Sequence, residues 1–157
     1  MSIDDRLLEL GLQLPKPMQT ATLPFELSRI EGTTMFLSGH VPTELDGSIA
    51  KPLGKVGDTV TPEEAYAAAR KVALGLFASI HAALGGLDRV DAWLRVFGMV
   101  NTAPGFTAIP PVINGCSDLI LEVFGPERGA HTRSAVGMAE LPLGVPVEIE
   151  AQLKIKL

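Results

Sequence analysis

The last stretch of the chain, HTRSAVGMAELPLGVPVEIEAQLKIKL, holds a single arginine, Arg133, at the head of an apolar run and a glutamate, Glu148, inside an apolar/polar alternation, 148 − 133 = 15 residues apart. A guanidinium presents parallel N–H donors that match a carboxylate, and a carboxylate held near water can take a proton from it. The other reactive types are sparse. Cys116 is the only cysteine, which excludes an internal disulfide and a multi-thiolate metal site; its place in an apolar helical run points to an inert buried thiol rather than a nucleophile. His40, beside Gly39, is close enough in sequence to reach a site there, against the plainer reading of a structural histidine; His81 reads as a helix-surface residue and His131 as a turn residue before Arg133. None of the three has metal-ligand spacing.

The elements around Arg133 and Glu148 limit what they can do together. In PVEIEAQLKIKL, Val147, Ile149, Ala151, Leu153 and Ile155 alternate with Glu148, Glu150, Gln152 and Lys154, the pattern of a strand with one buried face. LPLGVP before it reads as the turn back from TRSAVGMAE. If the two strands form a hairpin with Leu141 opposite Val147, Arg133 lies opposite Ile155, and Glu148 is about 23 Å away along the strand. One subunit's pair then cannot share a small ligand. Either a bulge and bend bring them closer, or Arg133 of one subunit meets Glu148 of the next; the second is favoured because it also accounts for the apolar excess described below. On pattern alone, an arginine at a strand start is a solvated end or ion-pair partner, and Glu148 and Glu150 face solvent.

The rest of the chain supplies a frame. Ser2 and Asp5 mark a helix start, with Leu7, Leu8 and Leu10 as its buried side; LQLPKPMQTATLP is a Pro-broken connector. FELSRIEG and TTMFLSGHVP read as two strands, followed by a loop from Thr43 to Val60. Thr61-Pro62-Glu63-Glu64 opens a long helix with Ala65, Ala68, Val72, Leu76, Ile80 and Leu84 at helical spacing, stopped by Gly85-Gly86. RVDAWLRVFGMV is a strand with Val90, Ala92, Leu94 and Val96 on one side and Trp93, Phe97 and Met99 on the other. Pro110-Pro111 open a second helix that Gly125-Pro126 ends near Phe124; Asn114 on it could cap, bond backbone or serve a site. The order ββαβαββ predicts an α+β fold with two helices on one face of a sheet, in a single domain over residues 1–157 in which 1–23 form an N-terminal helix and connector.

The totals bound the function. The 157 residues are 46% apolar but only 5% aromatic, and carry a formal net charge of −5; mean hydropathy is +0.28. So apolar a small chain predicts burial between subunits. The negative charge, with no Lys/Arg cluster, disfavours nucleic acid. ALGLFASIHAALGGL is too short to span a bilayer and the acidic MSIDDRLLEL is unlike a signal peptide, so no membrane role is expected and the expectation is a cytoplasmic protein.

RSAVGMAELP followed by VEIEA resembles the C-terminal signature of the Rid family, the reactive intermediate deaminases, also called YjgF-like or L-PSP proteins; FLSGHVP is similar to that family's Ser-Gly-Gln-Ile-Pro segment. LDRVDAWLRVFGMVNTAPGF and NGCSDLILEVFG resemble its longer, roughly 150-residue branch. The resemblance implies a chorismate-mutase-like fold, a homotrimer with three inter-subunit clefts, and hydrolysis of imines or enamines of 2-amino acids to 2-oxo acids and ammonia without metal or organic cofactor. It implies that Arg133 grips the substrate carboxylate and Glu148 orients or deprotonates water, with Ser38, Gly39, Asn114 and the Ala135 backbone lining the cleft. Phe25 stands where short members often carry tyrosine, and Ala135 where they carry cysteine. The alternatives are a non-catalytic trimer that senses a 2-oxo acid or related carboxylate, and a ribonuclease, a label some relatives bear.

Overall fold

The computed structural model describes all 157 residues, Met1–Leu157. Its elements are α1 (Ile3–Glu9), β1 (Ser28–Glu31), β2 (Thr34–His40), α2 (Pro62–Leu84), β3 (Val90–Asn101), α3 (Ile109–Arg128), β4 (Thr132–Met138) and β5 (Val147–Ile155). Of the three expected helix starts, those of α1 and α2 carry reciprocal caps, whereas α3 has no side-chain cap. Ser2 Oγ accepts from Asp5 N–H at 2.9 Å while the Asp5 carboxylate accepts from Ser2 N–H, and Thr61 and Glu64 repeat the arrangement at α2. Gly85 stops α2 in the left-handed region, φ 77°. Gly125, at φ 75° and ψ 172°, breaks α3 just after Phe124, and one further turn runs to Arg128. In α1 the inward pair is Ile3 and Leu7, so Leu8, expected inside, is exposed.

The strands form one sheet in the order β1-β2-β5-β3-β4. This corrects the expected closing hairpin. β4 pairs in parallel with β3, as the α3 crossover between them requires, and β5 lies antiparallel between β2 and β3. The Leu-Pro segment is not a hairpin turn but a crossing over the end of β3. Asn101 N–H donates to the Pro146 carbonyl at 2.9 Å and its side-chain amide to that of Val145 at 3.2 Å. Leu141 and Val145 pin the crossing by packing with Val41 in a small apolar cluster. Alternation along a strand decides which face each residue takes, but not which strand lies beside it.

A second correction concerns β3. Its pairing with β5 slips between Val90 and Ala92 and again between Trp93 and Arg95. These irregularities turn Trp93 to the helix side with Val96 and Val100 and leave Leu94 39% exposed. Trp93, Phe77 and Phe124 then meet edge-on, with ring centroids 5.3–5.9 Å apart.

Both long helices cover one face of the sheet, where Met35, Leu37, Val96, Ile149, Ala151 and Leu153 are buried. α2 is long and apolar enough to cross a membrane by length and composition, and here it is a core helix. The helices approach closely at Gly115, where a Cβ would come 2.1 Å from the Tyr66 carbonyl oxygen. The opposite sheet face has no covering layer. It carries the residues that alternate with the buried ones, among them Phe36, Arg95, Phe97, Glu148 and Glu150. Phe36 is 42% exposed, and the Arg95 guanidinium lies 5.3 Å from the Phe97 ring centre.

Candidate functional site

The topology separates Arg133 from Glu148. Arg133 is level with Val96 and so with Ala151, while Glu148 is level with Met99 and so with Val136. Their backbones are therefore two strands apart and 136 − 133 = 3 residues offset, roughly 14 Å between Cα atoms. Their side chains also point to opposite faces, Arg133 toward α3 and Glu148 to the uncovered side. Strand order and facing, rather than distance along a hairpin, thus keep one protomer from bringing these two groups together.

Arg133 sits on β4, the sheet edge, in a groove of about 390 Å³ lined by Asn114, Ser117, Leu121, Ala130 and His131. Asn114, Ser117 and Leu121 recur at helical spacing, so α3 presents them as one stripe. Nη1 of Arg133 donates to Asn114 Oδ1 at 2.7 Å and to Ser117 Oγ at 3.1 Å, and Nη2 to the Pro110 carbonyl at 3.3 Å. These acceptors are all uncharged, and no acidic side chain is within ion-pair distance of the guanidinium. Its charge is held in place without being neutralised, and Nε–H has no acceptor in the protein. An anion is the complement of such a group. Ala135, two residues along the same strand face, packs on the core and puts its backbone at the sheet edge beside the groove.

The second half lies at the end of β2 and on β5. The Glu148 carboxyl rests on Gly39: a Cβ there would meet Glu148 Cδ at 3.0 Å and Oε1 at 3.1 Å, so glycine is what lets the acid lie flat on the strand. Burial first, and the nearby Glu150 charge second, hold the Glu148 carboxyl above the usual carboxylate range. A base of that kind holds a proton more strongly than an exposed glutamate does. Ser38 N–H donates to the Leu27 carbonyl and its hydroxyl to that of Glu26 at 2.7 Å, which ties the chain just after Phe25 to β2; Phe25 is 51% exposed. Asn114 thus gathers with Arg133, and Gly39 with Glu148.

Three groups escaped the reading of the sequence: the Pro110 carbonyl, Ser117 and His131. His131 is not simply a turn residue. Its Nε2 is 2.9 Å from Ser117 Oγ and its Nδ1 2.7 Å from the Gly129 carbonyl. Two signals could have found it, the i, i+2 spacing of His131, just before β4, and Arg133 within it, and the i, i+3 spacing of Asn114 and Ser117 on α3. His40 resolves the other way. It is buried between β2 and α2, bonded to Ser79 Oγ at 2.7 Å and to the Ser38 carbonyl at 2.6 Å, and burial lowers its pKa. Cys116, wholly buried, has its thiol pushed up to about 12, which leaves it inert as expected.

Residues 4–147 match the family described as "YjgF/chorismate_mutase-like, putative endoribonuclease". The chain belongs to the YjgF/chorismate mutase-like family. Protein TCP17 of Trypanosoma cruzi is 40% identical to it over 146 residues, covering 93% of this chain and 89% of that protein. An Agrobacterium tumefaciens structure of unknown function shares 38% identity and a TM-score of 0.88, over 98% of this chain and 92% of the other. A Shewanella oneidensis structure, bearing the same endoribonuclease designation as the family, shares 30% identity and a TM-score of 0.91 over 99% and 100%. These YjgF-like relatives match at nearly full length, so the likeness extends through β5, beyond the last residue of the family match.

Proposed function

We propose that the protein hydrolyses imines or enamines of small 2-amino acids to 2-oxo acids and ammonia, in a cleft that joins the Arg133 groove of one protomer to the Glu148 side of a neighbour in a homotrimer. The observation that carries this reading is a guanidinium oriented by three neutral acceptors, with its charge unpaired at a groove on the sheet edge. The uncovered sheet face, with Phe36, Phe97 and Val136 among its side chains, offers a surface for neighbouring copies, in keeping with the high apolar content.

The roles follow from the donors and acceptors. Arg133 holds the substrate carboxylate with its remaining N–H groups, charge-assisted bonds contributing about 1.5–3 kcal/mol net each. Asn114, whose carbonyl oxygen is taken by Arg133, has its amide N–H groups for the ligand. An enamine first takes a proton on carbon to become the imine. Water then adds to the imine carbon while the Glu148 carboxylate accepts one of its protons, and that proton passes to nitrogen as the carbon–nitrogen bond breaks and the carbinol hydroxyl gives up its own, releasing ammonia and leaving a 2-oxo acid. Imines hydrolyse readily unaided, so the factor of about 10²–10⁴ typical of a positioned base is sufficient. The endoribonuclease designation fits less well, because a net charge of −5 opposes the tracking of phosphates.

The test is 2-iminobutanoate generated in situ from threonine, followed as 2-oxobutanoate. Acceleration over buffer is expected, and Arg133→Lys should weaken 2-oxobutanoate binding about tenfold or more because the fork is lost. Binding without acceleration would make the protein a carboxylate sensor. Unchanged affinity in Arg133→Lys would refute the anchor, and light scattering from a monomer at micromolar concentration would refute the shared cleft.

A further inference from the structure

The hydrogen-bond chain ending at Arg133 permits one arrangement of protons in the neutral imidazole. The Gly129 carbonyl can only accept, so His131 Nδ1, 2.7 Å away, carries a proton. Nε2 of that ring is then an acceptor, and Ser117 Oγ–H, at 2.9 Å, donates to it. A guanidinium can only donate, so the Oγ lone pairs receive Arg133 Nη1–H at 3.1 Å. Serine within a helix commonly turns its hydroxyl back to a carbonyl of the preceding turn. Here the imidazole takes that proton and leaves the oxygen aimed at the arginine.

We propose that His131 is a positioning residue for Arg133, acting through Ser117 to hold the guanidinium with its Nε–H edge free for a ligand carboxylate. The proposal deepens the reading of Arg133 as a carboxylate anchor and rests on it. The physical content is directional. With His131 absent, the Ser117 proton has no fixed acceptor, the hydroxyl rotates, and Nη1 retains one oriented partner, Asn114, in place of two. An arginine side chain loses much conformational freedom when it is held; if holding is left to the ligand, affinity falls. Ser117 is buried at 8% exposure and lines the groove, so this support is built into the wall. His40 and Ser79 form the same couple, again with the imidazole on a carbonyl two residues earlier, but no arginine donates to Ser79. That couple is an internal reference.

The test reads Arg133 directly in the full-length protein, by ¹⁵N NMR of the arginine side chains, with Arg133→Lys giving the assignment. In the wild type, Nη1 and Nη2 of Arg133 should give separate signals because rotation of the guanidinium is hindered. In His131→Ala and in Ser117→Ala these signals should merge. In His131→Gln, whose side-chain carbonyl can accept the Ser117 proton, they should stay apart, and the His40 ring signals should be unaltered throughout. If His131→Ala fails to fold, Ser117→Ala and the Gln variant decide the matter alone. Calorimetry with 2-oxobutanoate supplies the second readout: each single alanine variant should weaken binding about 3- to 10-fold, and the double variant no more than the weaker single one. Separate Nη signals persisting in both alanine variants, or losses that multiply in the double variant, would overturn the positioning role. If wild type fails to bind 2-oxobutanoate while the Arg133 signals merge as expected, positioning is upheld and the carboxylate-anchor reading is what fails.

Discussion

Mixing two inactive variants should restore activity. Arg133 and Glu148 stand on opposite faces of one sheet, two strands apart and offset by three residues, so a cleft that uses both takes them from different protomers. Arg133→Ala removes the anchor and leaves Glu148 intact; Glu148→Gln removes the base and keeps nearly the same volume against Gly39. Each variant alone has no complete cleft. In a random mixture, a cleft is complete when the protomer supplying Arg133 is the Gln variant and the one supplying Glu148 is the Ala variant. With a fraction f of one variant, the complete share is f(1 − f), which peaks at about one quarter of the clefts in an equal mixture of a cyclic oligomer. The assay is imine hydrolysis after co-expression at graded ratios, with subunit exchange confirmed by mass spectrometry of intact oligomers. A curve that rises to about 25% of wild-type activity at equal ratio and vanishes at both ends is the expected result. Activity that stays at the level of the single variants, although mixed oligomers are present, would refute the shared cleft. A Glu148→Gln variant that by itself keeps most activity would remove the glutamate from the mechanism.

Two further predictions concern protons. Glu148 serves as a base only when ionised, and both burial and the Glu150 charge keep its pKa above the ordinary value; Glu150→Gln removes the second cause, so the acid limb of kcat/KM against pH should move to lower pH, and a limb that stays put or rises would contradict that assignment. His40 has a pKa lowered by burial. The unfolded chain therefore takes up a proton that the folded ring refuses, and stability, constant above the unfolded value of about 6.5, should fall as pH drops through it toward the folded value. Urea midpoints measured across pH should show this in wild type and lose it in His40→Gln, whereas an identical slope in both would show that another group is responsible.

Much of the frame was legible in the residues themselves. The reciprocal caps at Ser2 and Thr61, the stop at Gly85, the break at Gly125 and the alternation of β5 are local, since each depends on residues within a few positions of one another. The site residues are a different case: pattern alone makes Arg133 a solvated strand end and Glu148 a solvent-facing residue, and only the likeness of RSAVGMAELP and VEIEA to a family signature singles them out. Where the reading failed, the missing information was non-local. The hairpin followed from treating consecutive strands as neighbours, but the α3 crossover commits β4 to pairing with β3, and the remaining open edge of β3 takes β5. The face of Trp93 turned on bulges set by the pairing with β5, which no pattern within β3 encodes.

By itself, then, the chain determined which residues are charged, the buried and open faces of β5, and where α1 and α2 begin and α2 stops, because those depend on side-chain chemistry and short-range backbone geometry. Only the tertiary structure decided that Arg133 and Glu148 face apart, and that Ser117 and His131, 14 residues apart in the chain, meet beside the guanidinium. The reason is that strand order and helix docking are settled by packing over the whole sheet, where contacts between distant segments outweigh any local preference.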